Sequence, residues 1–281
     1  MDRSTYPSVS RIIAIGDLHG DYKALLSILK KTKLINKKNN WIGRNTYLVQ
    51  LGDQVDSLCR DNSCALKDPE ELRIMLYLNQ LDKEARVQKG RVISLLGNHE
   101  MMNMQGDFRY ASKVDLKVMG GEQGRENLFK PGGQLTRVLS KTRHAIVKIG
   151  DYVFVHGGFL PLHTKYSFDQ INNIAKRFML GEDHLENTRE FKELFEGPHG
   201  ILWTRAYSTE YPRRDQITKV NNALRIKSMV VGHTVQDEGI NSAVNGKVWR
   251  VDTGMSRAFG HRRKIQALEI LNNGEKIRII K

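Results

Sequence analysis

The chain has 281 residues, of which 40% are hydrophobic and 27% are charged. This composition is typical of a globular protein and excludes a disordered tail or a collagen-like fibre. Lys and Arg total 45 against 31 Asp and Glu, which leaves a net charge of +14 and favours polyanionic or phosphorylated partners. No apolar run approaches the roughly 20 residues of a membrane span. The N-terminal sequence MDRSTYPSVS also lacks the apolar core of a signal peptide, and we therefore expect an intracellular, cytoplasmic protein.

Strands and helices alternate in the first half of the chain. Apolar runs predict strands over 11–17, 46–53 and 91–100, and helical spacing of apolar residues predicts helices over 21–35 and 69–90. This alternation indicates an α/β sheet. The low periodicity and many glycines of 101–144 predict a cap or loop insert over a site.

The second half is richer in strands. It reads as a hairpin over 145–158, further strands over 228–234, 248–254 and 266–280, and helices near 167–181 and 186–196. Together the halves predict two packed sheets flanked by helices. We expect one domain spanning 1–281, with a core of about 11–270.

The chain has only two cysteines, Cys59 and Cys64. Two cysteines exclude a disulfide framework. We expect two free thiols, with a local disulfide as the next alternative and a metal-binding role as the third.

Five predicted strands end in turns that carry glycine and metal-binding side chains. The turns are GDLHG (16–20), GDQVD (52–56), GNHE (97–100), VHGG (155–158) and GHT (232–234). Because ligands of α/β folds bind outside the carboxyl ends of the strands, these turns are expected to converge. Convergence would bring together six donors: Asp17, His19, Asp53, Asn98, His156 and His233.

This donor set consists of oxygen and imidazole ligands without a thiolate. It suits divalent first-row metals rather than an iron–sulfur cluster or a cysteine zinc site. We expect two ions if one carboxylate bridges them, with Mn as the first choice and Fe or Zn as alternatives. Two-metal sites of this kind catalyse phosphoryl transfer.

In this order, the five turns resemble the signature blocks of the calcineurin-like metallophosphoesterases, and more narrowly the phosphoprotein phosphatase class. Four further segments resemble the Shewanella-like protein phosphatases: MNMQGDFRYAS (102–112), FKPGG (129–133), GILWTR (200–205) and VDTGMS (251–256). The resemblance spans about residues 11–270 and implies a sandwich of two mixed β-sheets.

The resemblance also implies a role for each site residue. Asp17 and His19 would bind the first metal, Asp53 would bridge both metals, and Asn98, His156 and His233 would complete the second. His99 would be the general acid that protonates the leaving oxygen, and Asp56 would orient His99.

One departure from the family pattern concerns the substrate. The family block G-D-x-V-D-R-G reads GDQVDSLCR here, with Ser57 and Leu58 in place of Arg and Gly. The missing Arg would bind phosphate, for which a planar guanidinium is suited. Arg205 is our first candidate to replace it and Arg109 the second, while Arg60 would need a suitable loop path.

The sequence therefore predicts a phosphomonoesterase that acts on phosphorylated proteins through a metal-bridging hydroxide. A dinucleoside polyphosphate hydrolase or other phosphodiesterase with the same centre is the alternative, and a non-catalytic phosphate-binding protein is a third reading. Ser/Thr or Tyr specificity and the oligomeric state stay open. Nucleic-acid binding is not expected, because no such motif accompanies the basic clusters.

Overall fold

Strands form the centre of the protein. The computed structural model describes residues 3–281, with only the backbone described for Arg262. The strands are β1 (Thr5–Tyr6), β2 (Arg11–Ile15), β3 (Tyr47–Gln50), β4 (Arg91–Leu95), β5 (Arg143–His144), β6 (Ile146–Ile149), β7 (Tyr152–Val155), β8 (Ser228–Val231), β9 (Asn241–Ala243), β10 (Val248–Arg250), β11 (Ala267–Leu271) and β12 (Lys276–Ile280).

The strands build two mixed sheets of six strands each. The first has the order β12-β11-β2-β3-β4-β5, in which β2 to β5 are parallel and β11 and β12 are antiparallel. The second has the order β1-β6-β7-β8-β10-β9, in which β7, β8 and β10 are parallel. This arrangement confirms the predicted fold of two mixed sheets.

The sheets pack because alternate residues of each strand point to opposite faces. In β2, Ile12 and Ala14 belong to the same buried cluster as Phe154 of β7 and Val230 of β8, so this cluster fills the space between the sheets. The intervening Ile13 and Ile15 pack in a second cluster with residues of the first helix. Both faces of β2 are therefore buried, as its uninterrupted apolar run predicts.

Helices cover the outer faces of the sheets. They are α1 (Tyr22–Lys31), α2 (Glu71–Val87), α3 (Asn98–Met104), α4 (Lys113–Val118), α5 (Gly121–Phe129), α6 (Gln134–Thr142), α7 (Phe168–Met179), α8 (Arg189–Phe195) and α9 (Arg214–Leu224). The predictions at 21–35, 69–90, 167–181 and 186–196 are confirmed with shorter bounds. Helix α9 was not predicted. Within residues 3–281, no helix combines the length and the apolar character needed to cross a membrane.

Residues 101–144 are mostly helical. Gly120-Gly121 and Pro131-Gly132-Gly133 divide the segment into short helices, which is why no long periodicity is visible in the sequence. Phe129 and Leu139 are buried in one cluster with Ile171 of α7. The segment is thus part of the packed structure. A single domain over 1–281 stays a prediction.

The expectation of free thiols was wrong. Cys59 and Cys64 form a disulfide with their Cα atoms 5.4 Å apart. The turn between them brings the cysteines together, because Asp61 accepts hydrogen bonds from the backbone N–H and hydroxyl of Ser63. The sequence left this alternative open but could not show the turn.

Candidate metal centre

The five predicted turns meet at one edge of the sandwich. Parallel neighbours β2, β3 and β4 deliver GDLHG, GDQVD and GNHE, while β7 and β8 of the other sheet deliver VHGG and GHT. The six candidate ligands in these turns are all buried. Four site residues, His19, Asp53, Asp56 and His233, have positive φ, a conformation that is uncommon outside glycine and concentrates at functional sites.

Asp53 lies at the centre of the cluster. Its Oδ2 atom is 3.3 Å from Nε2 of His156, 3.8 Å from Nε2 of His19 and 3.9 Å from Nε2 of His99. Two groups could each hold a metal ion, one of His19, Asp53 and His99 and one of Asp53, His156 and His233. Asp53 belongs to both, as a bridging carboxylate must.

Backbone carbonyls orient the imidazoles of the three histidines that are predicted metal ligands, His19, His156 and His233. Nδ1 of His19 lies 3.1 Å from the carbonyl oxygens of Val55 and Asp56, and Nδ1 of His156 lies 2.6 Å from that of Leu51. For His233, the anchored atom is Nε2, 3.0 Å from the Trp203 carbonyl. Each ring therefore keeps its other nitrogen for a ligand, an arrangement that is usual around bound metals.

The two remaining candidates, Asp17 and Asn98, sit beside these rings. Asp17 Oδ2 accepts a hydrogen bond of 3.2 Å from the backbone N–H of His233. Oδ1 of Asn98 lies 3.0 Å from Nε2 of His156. Glycine is required close by, because a Cβ on Gly232 would lie 2.7 Å from Oδ1 of Asp17. The structure thus brings all six predicted ligands to one place.

Buried negative charge concentrates around this cluster. Burial, together with the carboxylates of Asp252 and Asp53, raises the pKa of Asp17 well above its ordinary value. Burial also raises the pKa of Asp252 to about 6. These acids resist ionisation because they are buried close to one another. A donor set of this kind fits divalent ions, whose charge would favour the ionised carboxylates.

The imidazoles respond to the same surroundings. Burial and the guanidinium of Arg60 lower the pKa of His19, and burial and His156 lower the pKa of His233 to about 3. Both rings are therefore neutral at pH 7, the form that binds a metal. Burial disfavours the charged form of Asp53 as well, but His156 and His99 outweigh it and hold the Asp53 pKa well below its usual range.

His99 and Asp56 form a buried pair beside the cluster. Nδ1 of His99 lies 2.7 Å from Oδ2 of Asp56. The other oxygen of Asp56 accepts hydrogen bonds of 2.9 Å from Asn103 and from Arg125. Because an ionised carboxylate can only accept hydrogen bonds, Nδ1 of His99 is the donor, and Nε2 faces Asp53.

A cavity of about 1060 Å³ opens over these residues. Arg205 lines it and donates from Nη1 to the His233 carbonyl at 3.0 Å and to Thr234 Oγ1 at 2.9 Å. Arg109 is not among the lining residues. Its guanidinium is instead paired with Asp107 at 2.8 Å, and its side chain is 71% exposed. The structure therefore does not bring this second candidate to the site.

Three residues that line the cavity escaped the sequence reasoning: Tyr110, Asp252 and Phe259. Arg60, which the sequence analysis named as a candidate that would need a suitable loop path, lines the cavity as well. Tyr110 and Asp252 fall within the quoted segments FRYAS and VDTGMS, which offered a signal for them. Arg125 offered none, because it is one charged residue of a short helix whose position depends on the whole fold.

Comparison with known proteins agrees with this geometry. The calcineurin-like phosphoesterase family model matches residues 10–237. Shewanella-like protein phosphatase 2 of Arabidopsis thaliana is 28% identical over 301 residues, covering 91% of this chain and 74% of that protein. Shewanella-like protein phosphatase 1 of Plasmodium berghei is 31% identical over 255 residues, covering 88% of this chain and 67% of that protein.

A solved structure has the same fold. The cold-active protein-tyrosine phosphatase of a psychrophilic Shewanella species superposes with a TM-score of 0.83 at 24% identity, over 100% of this chain and 83% of that one. Since the family match extends over most of the chain and over all five turns, the chain belongs to the calcineurin-like phosphoesterase family.

Proposed function

We propose that this chain is a metal-dependent phosphomonoesterase that removes phosphate from phosphorylated proteins. The observation that carries the proposal is the placement of three imidazole nitrogens within 3.9 Å of one buried carboxylate oxygen of Asp53. The large cavity above them can admit a phosphorylated side chain. Relatives that are named protein phosphatases support the substrate class.

The donor set supports two ions that share Asp53. Asp17 and His19 would hold one ion, and Asn98, His156 and His233 would hold the other. Carboxylate, amide and imidazole ligands suit Mn, Fe or Zn, and Mn is the ion we expect. When bound, such ions would act as Lewis acids and lower the pKa of water.

His99 is placed to protonate the leaving oxygen. Asp56 holds Nδ1 of the ring at 2.7 Å, so the proton available for transfer is on Nε2, and the ring lines the cavity. Arg205 is proposed to contact the substrate phosphate from the same cavity.

The test is a phosphatase assay on metal-stripped protein to which Mn²⁺, Fe²⁺ or Zn²⁺ is returned. We expect p-nitrophenyl phosphate and phosphopeptides to be hydrolysed only after metal is added. Asp53→Asn should lose metal and activity together. His99→Asn should keep its metal and lose about 10²–10⁴-fold in kcat. The matched control is Asp169→Asn, an exposed carboxylate of α7, which should behave as the unmodified protein.

The outcomes separate the candidate functions. Full turnover by Asp53→Asn protein would contradict the dimetal mechanism. Faster hydrolysis of diadenosine tetraphosphate than of any phosphopeptide would favour the dinucleoside polyphosphate hydrolase. Tight phosphopeptide binding without turnover would favour the non-catalytic reading. A panel with phosphoserine, phosphothreonine and phosphotyrosine peptides would resolve the specificity.

A further inference from the structure

Ser57 occupies the position of the family's phosphate-binding Arg, and its contacts are structural. Ser57 is buried, and both its backbone N–H and its hydroxyl donate to Asp115 Oδ2, at 3.0 and 2.6 Å. The next residue, Leu58, is exposed. Neither position can supply a cation to the cavity.

Arg60, three residues further along, reaches the cavity instead. It lines the cavity together with Asp17, His19 and Asp53. Its guanidinium carbon lies 4.7 Å from the ring centre of Tyr110 and 5.6 Å from that of Phe259. Contact with aromatic rings fixes a guanidinium plane and leaves its edge available for hydrogen bonds.

The guanidinium of Arg60 lacks a partner for part of that edge. Nη1 is buried and makes no hydrogen bond within the described chain. Nη2 lies 3.4 Å from Nδ1 of His19. Among residues 3–281, no carboxylate forms an ion pair with Arg60, whereas buried donors of this kind are normally satisfied. A half-buried guanidinium in a cavity wall, with Nη1 buried and unsatisfied, is suited to an anionic ligand.

A closed loop holds Arg60 at this place. The Cys59–Cys64 disulfide encloses Arg60 in a short ring of the chain. Next to it, the backbone N–H of Arg60 donates to the Ala258 carbonyl at 2.9 Å, and that of Ala65 donates to the Arg257 carbonyl at 3.1 Å. The loop is therefore tied at both ends to the segment that carries Phe259.

We propose that Arg60 binds the substrate phosphate in place of the missing family Arg, and that the Cys59–Cys64 disulfide positions it. The proposal rests on the proposed function, because it names a substrate contact of the same cavity. Arg60 approaches from a loop outside the five strand-end turns. The phosphate would be bound at the guanidinium edge by charge-assisted hydrogen bonds.

The first experiment measures binding of inorganic phosphate to Mn-loaded protein by calorimetry, together with kcat/KM for a phosphopeptide. Arg60→Gln should weaken phosphate binding about 10–100-fold and lower kcat/KM by a similar factor, with metal content unchanged. Arg60→Lys keeps the charge but loses the planar edge, so an intermediate loss is expected. Arg278→Gln, an exposed cation of β12, is the matched control.

These readouts distinguish the two proposals. If the unmodified protein hydrolyses phosphopeptides and Arg60→Gln binds phosphate equally well, the assignment of Arg60 is wrong and the proposed function stands. If the unmodified protein neither takes up metal nor hydrolyses any phosphate ester, the proposed function fails, and the assignment of Arg60 as a substrate contact fails with it.

The second experiment addresses the disulfide. The double variant Cys59→Ser, Cys64→Ser should bind phosphate more weakly and show a higher KM for the phosphopeptide. Its metal content and its melting temperature should be unchanged. Treating the unmodified protein with a reductant should reproduce this change, and the same treatment should leave the double variant unaffected. Unchanged phosphate affinity in the double variant would show that the disulfide does not position Arg60.

Discussion

Arg125 is a buried cation between two buried acids. It donates to Asp56 at 2.9 Å and to Glu71 at 2.7 Å, and Glu71 also accepts a short hydrogen bond from the backbone N–H of Asp56. Burial raises the pKa of Glu71 to about 8 despite the opposing charge of Arg125. Arg125 is fully buried and does not line the cavity. It therefore acts by holding Asp56 in the orientation that His99 needs.

Removing this charge should affect stability and catalysis together. Arg125→Met removes the buried donor that Asp56 and Glu71 share, so we expect the free energy of unfolding to fall by about 3–5 kcal/mol. We also expect kcat to fall, because His99 loses its orientation. Urea denaturation and a phosphatase assay would measure both. The exposed Arg177, which pairs with Glu182 on the surface, provides the control Arg177→Met. A loss as large in Arg177→Met would contradict the argument.

His163 makes a pH-dependent contribution to stability. The ring is fully buried, accepts a hydrogen bond of 3.0 Å from the Leu160 N–H, and has a pKa lowered by burial to about 4. The unfolded chain, with a pKa of about 6.5, binds the proton more readily. The contribution of His163 is therefore present above about pH 6.5 and is lost as the pH falls toward 4.

The size of this effect can be measured by comparison. Between pH 7 and pH 5 the unmodified protein should lose about 2 kcal/mol more free energy of unfolding than His163→Gln, which cannot titrate. Urea denaturation at the two pH values gives both numbers. Equal losses would mean that His163 is not kept neutral by the fold.

Single residues of the site differ in how well the sequence reveals them. Asp17, Asp53 and His233 follow apolar strands and flank glycines, so local chemistry alone marks them. Arg60 lies in a disulfide-closed loop and Arg125 in a short helix. Their places in the fold depend on tertiary packing, which no local sequence pattern shows. Arg109 shows the opposite case, because its proximity in sequence to GNHE did not bring it to the cavity.

At the scale of elements, the turns after β4 and β8 hold the ligands by close backbone approach. Gly232 is such a point, since an added Cβ would lie 2.7 Å from Oδ1 of Asp17. Gly232→Ala should displace this carboxylate and weaken Mn²⁺ binding about 10-fold or more, by analogy with changes beside other metal ligands. Calorimetry or elemental analysis would measure the loss.

Gly246→Ala is the matched control for this substitution. A Cβ at Gly246 would meet open space. Its positive φ of 76° predicts a stability loss of about 1 kcal/mol, with unchanged metal binding. Equal metal affinity in Gly232→Ala and Gly246→Ala would show that the close approach at Gly232 is unimportant.

Elements with a clear apolar period or a turn signal were predicted, whereas helices α4 to α6 and helix α9 were not. Strand β2 and helix α2 carry enough apolar residues at one period to be recognised. Helices α4 to α6 each span at most nine residues, too few for a clear period. Packing stabilises them, α4 against α5, α5 against α6 and α6 against α7. The order of strands within each sheet also depends on tertiary contacts that no local pattern contains.

At the scale of the whole molecule, the net charge of +14 should raise the rate at which an anionic substrate associates with the protein. An acidic phosphopeptide should be attracted by a long-range electrostatic interaction, which added salt screens. We expect kcat/KM for such a peptide to fall several-fold between about 50 and 300 mM NaCl, and to fall less for the small p-nitrophenyl phosphate. Equal salt dependence for both substrates would contradict long-range steering.

The strand β12 has a consequence for engineering of the chain. Within the described part of the chain it pairs with β11 alone. It carries Lys276 and Arg278 on one face, and charged side chains on an edge strand discourage edge-to-edge association. A shortened protein ending at residue 274 would leave the outer edge of β11 (Ala267–Leu271) without a strand partner, although its other edge still pairs with β2. The apolar Leu268 and Ile270 lie in that strand. Such a protein would expose an aggregation-prone edge strand. A fusion partner should therefore be attached after β12 and should not replace it.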